Sequence, residues 1–245
     1  MPPELKDRVS ITPHDLFDDS DAFTQEIYDV GNNVIKVIKF DIARAFIDVS
    51  RAPHQMPPEF PDGLVKSSTC LLMPIYAENR HPDESLRKQL IDKYYEPYHK
   101  ELEIWSHYEK IKLGLDCHSM LPVPPDISPD RGQKRPLINL GNLDGTACPE
   151  KIVQLLAHSF RTVFKLEKND VTLNRPFKGG YITLKYANNP VPWIQIEMNR
   201  ALYLESQYFN RQKLEIDSKR LIELNHKFLK LLLRFYSESQ KFGLL

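Results

Sequence analysis

The stretch GLDCHSM (residues 114–120) places an aspartate, a cysteine, a histidine and a serine in four consecutive positions after a short apolar run. The segment from Leu113 to Cys117 predicts a short buried strand that leads into His118. The later predicted strands are 136–140, 171–173, 181–186 and 193–198. Because strands alternate with helical patterns, we expect an α/β fold with a mixed, mostly parallel sheet flanked by helices.

Three helices are predicted from apolar residues at helical spacing: 82–112, a helix that begins at Pro149, and a last one that begins near Asp217 or Ser218. Pro97 must kink or restart the first of these, because proline lacks the N–H donor and clashes with the preceding turn. Two strands are predicted earlier in the chain, at Asn33–Phe40 and Ala45–Val49.

The composition excludes several classes of protein. Among 245 residues, 33 Lys plus Arg balance 33 Asp plus Glu, and no long basic run is present, so nucleic acid is not expected as the main partner. Three cysteines without a C-x-x-C pair predict neither a disulfide framework nor a structural zinc site. No signal peptide or membrane-spanning stretch is seen, so we expect one cytoplasmic domain over residues 1–245 without a membrane partner.

Polar residues with useful chemistry follow three of the predicted strands, and in α/β sheets sites gather at the carboxyl ends of strands. They are Asp48, Ser50 and Arg51, then Asp116, His118 and Ser119, and last Glu197, Asn199 and Arg200. The planar fork of an arginine matches a substrate carboxylate, which would suit Arg51 and Arg200. The alternative for both arginines is a surface salt bridge.

Glu197 lies on an otherwise apolar strand. Alternate residues of a strand share a face, so Gln195 and Glu197 point one way while Ile194 and Ile196 point into packing. Burial disfavours an ionised carboxylate, which suits a general base. The alternative is a glutamate at a sheet end that pairs with a nearby arginine.

His118 admits two interpretations, which the stretch alone leaves open. It could bind a metal, with Asp116 on the same strand face as the partner that orients the imidazole. It could also be an ordinary histidine at a strand end. A nucleophilic pair is disfavoured, because Cys117 points to the opposite face and Ser119 lacks the G-x-S-x-G turn of a hydrolase.

An acidic cluster, Asp18, Asp19 and Asp21, could complete a zinc site together with His118. The alternative is helix capping, since an Asp or Ser before AFTQEIYDVG starts a helix well.

Seven segments in the same order give the chain a family resemblance. They are DDSDAF (18–23), FIDVSRAP (46–53), PYH (97–99), DCHSM (116–120), LGNLDGTAC (140–148), NRPFKGGYIT (174–183) and QIEMNRALY (195–203). Together they resemble the N-formylglutamate amidohydrolase family. That family looks like a compact relative of the zinc carboxypeptidases, so the resemblance implies a zinc carboxypeptidase-like (phosphorylase/hydrolase-like) architecture.

The resemblance also implies a reaction and its residues. The reaction is zinc-dependent hydrolysis of the amide of a small acidic N-acyl amino acid such as N-formylglutamate. The implied zinc ligands are His118 and either Asp21 or Asp19, and the implied general base is Glu197. The implied substrate-binding residues are Arg51, Arg200, Ser50, Asn174 and Gly180. The implied partners of the ligands and the base are Asp116, Asp48 and Gln195. No role can be derived for Tyr98 and His99.

The chain departs from the family pattern at two places. Ser50 stands where the family has Asn before its arginine, which changes the reach of that side chain. The family's first apolar strand, with a Pro-His-Ser-Gly motif that looks like the first zinc ligand, is absent before Met1. We therefore expect a misassigned start codon or a truncated chain. The alternatives are a degenerate homologue that binds an acidic ligand, or a related zinc acylase or carboxypeptidase.

Overall fold

The computed structural model describes residues 1–245, which divide into two compact units. Unit 1 comprises Met1–Ala22, Ile38–Ile104 and Pro125–Ile127. Unit 2 comprises Phe23–Val37, Trp105–Pro124 and Ser128–Leu245. A single domain over residues 1–245 stays a prediction.

Unit 2 is built on a four-stranded sheet. Its strands are β1 (Gly114–Met120), β2 (Ile138–Gly141), β3 (Val171–Leu173) and β4 (Trp193–Asn199), in the spatial order β1-β4-β2-β3. The β1–β4 and β2–β3 pairs are parallel, whereas β2 and β4 are antiparallel. The predicted mixed, mostly parallel sheet is therefore confirmed. A small separate hairpin pairs β5 (Phe209–Asn210) with β6 (Glu215–Ile216).

Helices cover the apolar face of this sheet. They include α2 (Thr24–Tyr28), α5 (Glu150–Phe164) and α7 (Ser218–Lys241). Residues from β2 and β4 share one hydrophobic core with residues from α5 and α7, among them Leu140, Ile196, Phe160 and Leu231. Asp217 caps α7 by accepting a hydrogen bond from the N–H of Lys219 at 2.9 Å, so the predicted start of the last helix is confirmed.

The predicted strand at 181–186 is wrong, because this segment forms helix α6 (Tyr181–Tyr186). Ile182 and Tyr186 are both buried, and their separation of four residues fits one face of a helix. The N–H of Leu184 bonds to the carbonyl of Gly180, which starts the helix directly after the glycine pair. A segment this short with β-branched residues fits both periodicities, so the sequence alone could not decide.

Unit 1 contains helices and irregular segments. Its helices are α1 (Pro13–Asp19), α3 (Glu84–Leu90) and most of α4 (Glu96–Ser106), whose last two residues belong to unit 2. The strands predicted at Asn33–Phe40 and Ala45–Val49 are wrong. The expected apolar face of the first is not buried, since Ile35 is 50% exposed. In the second, the amide of Phe46 bonds locally to the carbonyl of Ala43, so that part of the main chain forms a turn.

The predicted helix at 82–112 exists, but it ends at Ser106 and is interrupted by a π-helical turn at Ile91–Tyr95. Pro97 explains the interruption. Its ring would clash with the carbonyl of Lys93 in a regular helix, and the wider turn before the proline relieves that clash. None of the helices is long and apolar enough to cross a membrane.

Candidate functional site

His118 and Asp116 lie on the same face of β1, two residues apart. His118 Nε2 lies 2.9 Å from Asp116 Oδ1, and Thr183 Oγ1 from α6 lies 3.4 Å from Asp116 Oδ2. The Asp116 side chain is 7% exposed and that of His118 is 17% exposed. The carboxylate therefore fixes the orientation of the imidazole and favours the tautomer with a proton on Nε2.

Glu197 occupies the middle of β4, between two neighbouring strands. In register, it is paired with His118 of β1 on one side and with Asn139 of β2 on the other. Gln195 Nε2 donates to Glu197 Oε1 at 2.5 Å, and the amide of Gly180 donates to Gln195 Oε1. The buried carboxylate is thus held by a side chain that is itself held by the loop before α6.

Asn139 continues the row of polar side chains across the sheet and is fully buried. Its Nδ2 donates to the carbonyl of Phe177 at 2.8 Å, and its Oδ1 accepts from the amide of Arg175 at 2.9 Å. A Cβ added to Gly141 would lie 2.6 Å from the carbonyl carbon of Lys178. Glycine at this position therefore lets the loop that carries Gly180 lie close against the sheet.

The side chain of Asn174 makes structural contacts in the same region. Its Oδ1 accepts from the amide of Asn142 at 2.9 Å, and its Nδ2 donates to Asn142 Oδ1 at 2.7 Å. The two asparagines join the ends of β2 and β3. Substrate binding by Asn174 stays a prediction.

Arg200 follows β4 directly and is 4% exposed. Asn199 Oδ1 accepts from the amide of Ala201 at 2.9 Å and so turns the chain at the end of the strand. Arg200 Nε donates to Ser119 Oγ at 3.1 Å. This places a buried guanidinium at the carboxyl ends of β4 and β1.

Cys117 is not a nucleophile beside His118. It packs against the hydrophobic core on the other face of the sheet. Burial, with a smaller contribution from the Asp116 carboxylate, raises the pKa of the Cys117 thiol far above its usual range. A thiol that stays protonated at neutral pH does not attack a carbonyl carbon.

In unit 1, three carboxylates surround the fully buried ammonium of Lys66. Its Nζ lies 2.5 Å from Asp62 Oδ1, 3.1 Å from Asp19 Oδ2 and 3.5 Å from Asp48 Oδ2. The Asp62 contact is an ion pair that lacks hydrogen-bond geometry. A buried ammonium is tolerated only with such compensation, so Lys66 is the centre of a charged cluster in this unit.

Asp48 belongs to the same cluster. Burial alone would raise the pKa of Asp48, but the charges of Arg44, Lys66 and Arg51 outweigh it and lower that pKa from 3.8 to about 2. Arg44 Nη2 lies 2.9 Å from Asp48 Oδ2, and the amide of Ser50 donates to Asp48 Oδ1 at 3.0 Å. Within unit 1, the Asp48 carboxylate thus pairs with Arg44, Lys66 and Arg51. Its role as a residue that orients a metal ligand stays a prediction.

Arg51 is held on one side by carboxylates of this cluster. Its Nη2 donates to Asp62 Oδ2 at 2.6 Å, and its Nε lies 3.7 Å from Asp48 Oδ2. Neither contact uses Nη1, and the side chain is 32% exposed. An oriented, partly exposed guanidinium is suited to binding a carboxylate.

The two aspartates considered as metal ligands differ in their contacts. Asp19 Oδ2 accepts from Lys66 Nζ at 3.1 Å, and Asp19 Oδ1 accepts from the amide of Cys70 at 2.8 Å. Both oxygens of Asp19 are therefore engaged within unit 1. Asp21 Oδ2 lies 3.6 Å from Arg44 Nη1. Metal binding by Asp21 or Asp19 stays a prediction.

The predicted zinc site can be tested against these donors. Catalytic zinc takes three protein ligands. His118, oriented by Asp116, has the arrangement of a metal-binding histidine. However, the structure holds no group of three or more His, Cys, Asp or Glu side chains that could bind a metal ion. The residues present supply one fitting ligand and not a complete zinc site.

Sequence reasoning missed Lys66, Asp62 and Asn139. Asn139 is the polar residue inside the predicted strand 136–140, a signal that could have found it. Lys66 follows two buried residues, Leu64 and Val65, but a lysine next to an apolar pair is usually an exposed side chain. Asp62 lies only four residues before Lys66, but Asp19 and Asp48 come from distant segments, which no local pattern connects.

The comparisons with known proteins identify the family to which the chain belongs. The sequence model of the family described as N-formylglutamate amidohydrolase matches residues 1–204. The chain belongs to this family. Membership in the N-formylglutamate amidohydrolase family makes the chain an amidohydrolase, so the predicted class of enzyme is confirmed.

Individual relatives are similar to most of the chain. The chain is 24% identical to the N-formylglutamate deformylase of Pseudomonas putida over 196 residues, 76% of this chain and 71% of that protein. It matches the crystal structure of N-formylglutamate amidohydrolase from Ralstonia eutropha JMP134 with a TM-score of 0.63 and 21% identity, covering 94% and 88% of the two chains. A gene product of Agrobacterium tumefaciens matches with a TM-score of 0.50 and 18% identity over 81% and 69%. At these identities the structural matches show a shared fold.

Proposed function

We propose that the chain hydrolyses the amide bond of an N-formyl or N-acyl acidic amino acid such as N-formylglutamate, giving formate and the free amino acid. The observation that carries the proposal is the buried carboxylate of Glu197, which is paired in register with His118 and held by Gln195. The names of the relatives, N-formylglutamate deformylase and N-formylglutamate amidohydrolase, support the choice of substrate.

In this reaction Glu197 acts as general base. It accepts a proton from the attacking water while the water oxygen bonds to the formyl carbon. When the C–N bond breaks, the same carboxyl group gives the proton to the leaving nitrogen. The carboxylate must keep its position through both transfers, and its hydrogen bond from Gln195 supports that role.

Arginines bind the acidic part of the substrate in this proposal. Arg51 is oriented by Asp62 and Asp48, and Arg200 is oriented by Ser119. A guanidinium can form two parallel hydrogen bonds with one carboxylate, which favours an acidic amino acid over a neutral one. Ser50, whose amide donates to the Asp48 carboxylate, also contacts the acidic part of the substrate in this proposal.

We further propose that zinc supports the reaction, with His118 as the ligand that the chain supplies best and Asp21 or Asp19 as the acidic candidate. When bound, zinc would provide Lewis-acid polarisation of the carbonyl and a lower pKa for the attacking water. The steps assigned to Glu197 and the arginines do not depend on this part. The relation of the fold to the zinc carboxypeptidases stays a prediction.

The decisive experiment compares wild-type protein with Glu197→Gln, using N-formylglutamate, N-acetylglutamate and N-formylalanine as substrates. We expect formate release from N-formylglutamate, and a loss of roughly 10²- to 10⁴-fold in kcat/KM for the variant, the usual size of general-base catalysis. The melting temperature should change little. A wild-type chain that hydrolyses none of the three substrates would refute the proposal.

The zinc part has a separate test. Metal analysis should find zinc in the purified protein and less of it in His118→Ala, and removal by a chelator should abolish activity that added zinc restores. Full activity of metal-free protein would remove zinc from the proposal and leave the assignment of Glu197 intact.

A further inference from the structure

Tyr95 and His99 lie on one face of the helical segment of unit 1, against the loop that carries Arg51. They are four residues apart, and their ring centroids are 4.1 Å from each other. Tyr95 is 1% exposed and His99 is 2% exposed. Two polar rings that are buried so completely need hydrogen-bond partners.

Both rings have a hydrogen bond to the main chain of the same loop. Tyr95 Oη donates to the carbonyl of Arg51 at 2.9 Å. His99 Nε2 lies 3.0 Å from the carbonyl oxygen of Val49. Because a carbonyl oxygen only accepts, Nε2 of His99 carries the proton in this contact. The two carbonyls lie on either side of Ser50.

The amide groups of the loop donate hydrogen bonds to acceptors other than Tyr95 and His99. The amide of Asp48 donates to the carbonyl of Leu64 at 2.8 Å, and the amide of Arg51 donates to the carbonyl of Asp48 at 3.1 Å. The amide of Ser50 bonds to the Asp48 carboxylate. Tyr95 and His99 therefore add the contacts that fix the carbonyl groups of Val49 and Arg51.

The π-helical turn explains how one helical segment reaches this loop. Leu90 and Tyr95 are both buried, although they are five residues apart. In a regular α-helix, five residues correspond to about 500°, which places the two side chains about 140° apart. The wider turn before Pro97 lets both residues face the interior, and π turns of this kind often occur at functional sites.

We propose that Tyr95 and His99 are positioning residues for substrate binding, which act by fixing the Val49–Arg51 loop and thereby the direction of the Arg51 guanidinium. This inference rests on the proposed function, in which Arg51 binds a substrate carboxylate. It gives His99, in the PYH segment, a role that the sequence alone did not provide.

The test measures kcat and KM for N-formylglutamate in four variants. Tyr95→Phe removes only the hydroxyl group, and we expect KM to rise about threefold with little change in kcat, as for a lost hydrogen bond. His99→Leu should raise KM more, by roughly tenfold, and His99→Gln should restore part of the loss because its amide can still donate. Tyr94→Phe is the matched control. Tyr94 lies in the same helical turn as Tyr95, but its hydroxyl donates to the Glu4 carboxylate. Its removal should therefore leave KM unchanged.

The same variants in an Arg51→Gln background separate a positioning role from general destabilisation. If Tyr95 and His99 act through Arg51, their effects on KM disappear when Arg51 is already replaced. Unchanged KM in the single variants, or equal effects in both backgrounds, would overturn the inference.

Two further results distinguish this inference from the proposed function. If Arg51→Gln leaves KM unchanged in an active enzyme, the substrate role of Arg51 fails, and the positioning role fails with it. If the wild-type chain does not hydrolyse N-formylglutamate, the proposed function fails. Hydrogen exchange of the amides at 49–52 then tests whether Tyr95 and His99 fix the loop. Exchange should be faster in Tyr95→Phe and His99→Leu than in Tyr94→Phe, and equal rates would overturn the inference.

Discussion

His118 and Asp116 form a side-chain pair on β1, with 2.9 Å between Nε2 and Oδ1. The pair follows from the alternation of a strand, which places residues two apart on one face. Because the carboxylate accepts from Nε2, the lone pair of the neutral imidazole is on Nδ1. In the proposed function, this fixed tautomer orients His118 as a zinc ligand.

Asp116→Asn should lower kcat/KM for N-formylglutamate by roughly 10- to 100-fold, the usual cost of losing a carboxylate that orients a functional histidine. The amide group is neutral and no longer selects one tautomer. Asp144→Asn is the matched control, since Asp144 forms an exposed ion pair with Lys178. Equal activities of the two variants would show that Asp116 has no such role.

Gln195→Met should lower kcat for N-formylglutamate by up to about 100-fold, because the carboxylate of Glu197 loses the donor that holds its position. Methionine has a similar volume but leaves the Gly180 amide without its acceptor, so we also expect a loss of about 1–3 kcal/mol in the free energy of unfolding, and kcat is measured at a temperature at which the variant is folded. Gln154→Met is the control, because Gln154 also donates to a glutamate but on the exposed surface of α5. A wild-type kcat in Gln195→Met would exclude the positioning of Glu197 by Gln195.

Lys66→Met should destabilise the protein by about 3 kcal/mol or more, because it leaves Asp19 and Asp48 buried next to each other without the shared cation. Urea unfolding at pH 7 measures the change in the free energy of unfolding. Lys88→Met should cost less than about 1 kcal/mol, since Lys88 and Asp92 form an exposed pair. If the two variants lose similar amounts of unfolding free energy, Lys66 does not stabilise the charged cluster as we expect.

Stability should fall as the pH drops from about 5 to 2. The pKa of Asp48 is 3.8 when unfolded and about 2 when folded, so between these values the unfolded chain binds more protons. The stabilisation is complete above the unfolded pKa and is lost as the pH falls through the folded one. It amounts to about 2 kcal/mol for Asp48, since one pKa unit corresponds to about 1.4 kcal/mol. Asp19, whose pKa is also lowered by Lys66 and Arg44 against the effect of burial, adds to the loss.

Urea unfolding at several pH values between 2 and 5 checks this expectation. Asp48→Asn should show a shallower dependence on pH than the wild type. Asp92→Asn, at an exposed position, should show the wild-type dependence. A wild-type slope in Asp48→Asn would mean that other carboxylates cause the acid sensitivity.

The sequence by itself determined the features that depend on local periodicity. Strands β1 and β4 and helices α5 and α7 were predicted from apolar spacing, and the capping residue Asp217 fixed the start of α7. The shared face of Gln195 and Glu197 also follows from alternation along one strand. These features need no information from distant parts of the chain.

Only the tertiary structure decided which segments meet. The order β1-β4-β2-β3 places Glu197 between His118 and Asn139, and strand order depends on packing that local sequence does not encode. The same holds for Lys66, whose buried charge is compensated by Asp62, four residues away, and also by Asp19 and Asp48 from separate segments. Residues 45–48 are buried without pairing in a sheet, because their amides donate to carbonyls in local turns and to the carbonyl of Leu64. An apolar run indicates that a segment is buried. Whether the segment forms a strand depends on which main-chain hydrogen-bond partners the tertiary structure places next to it.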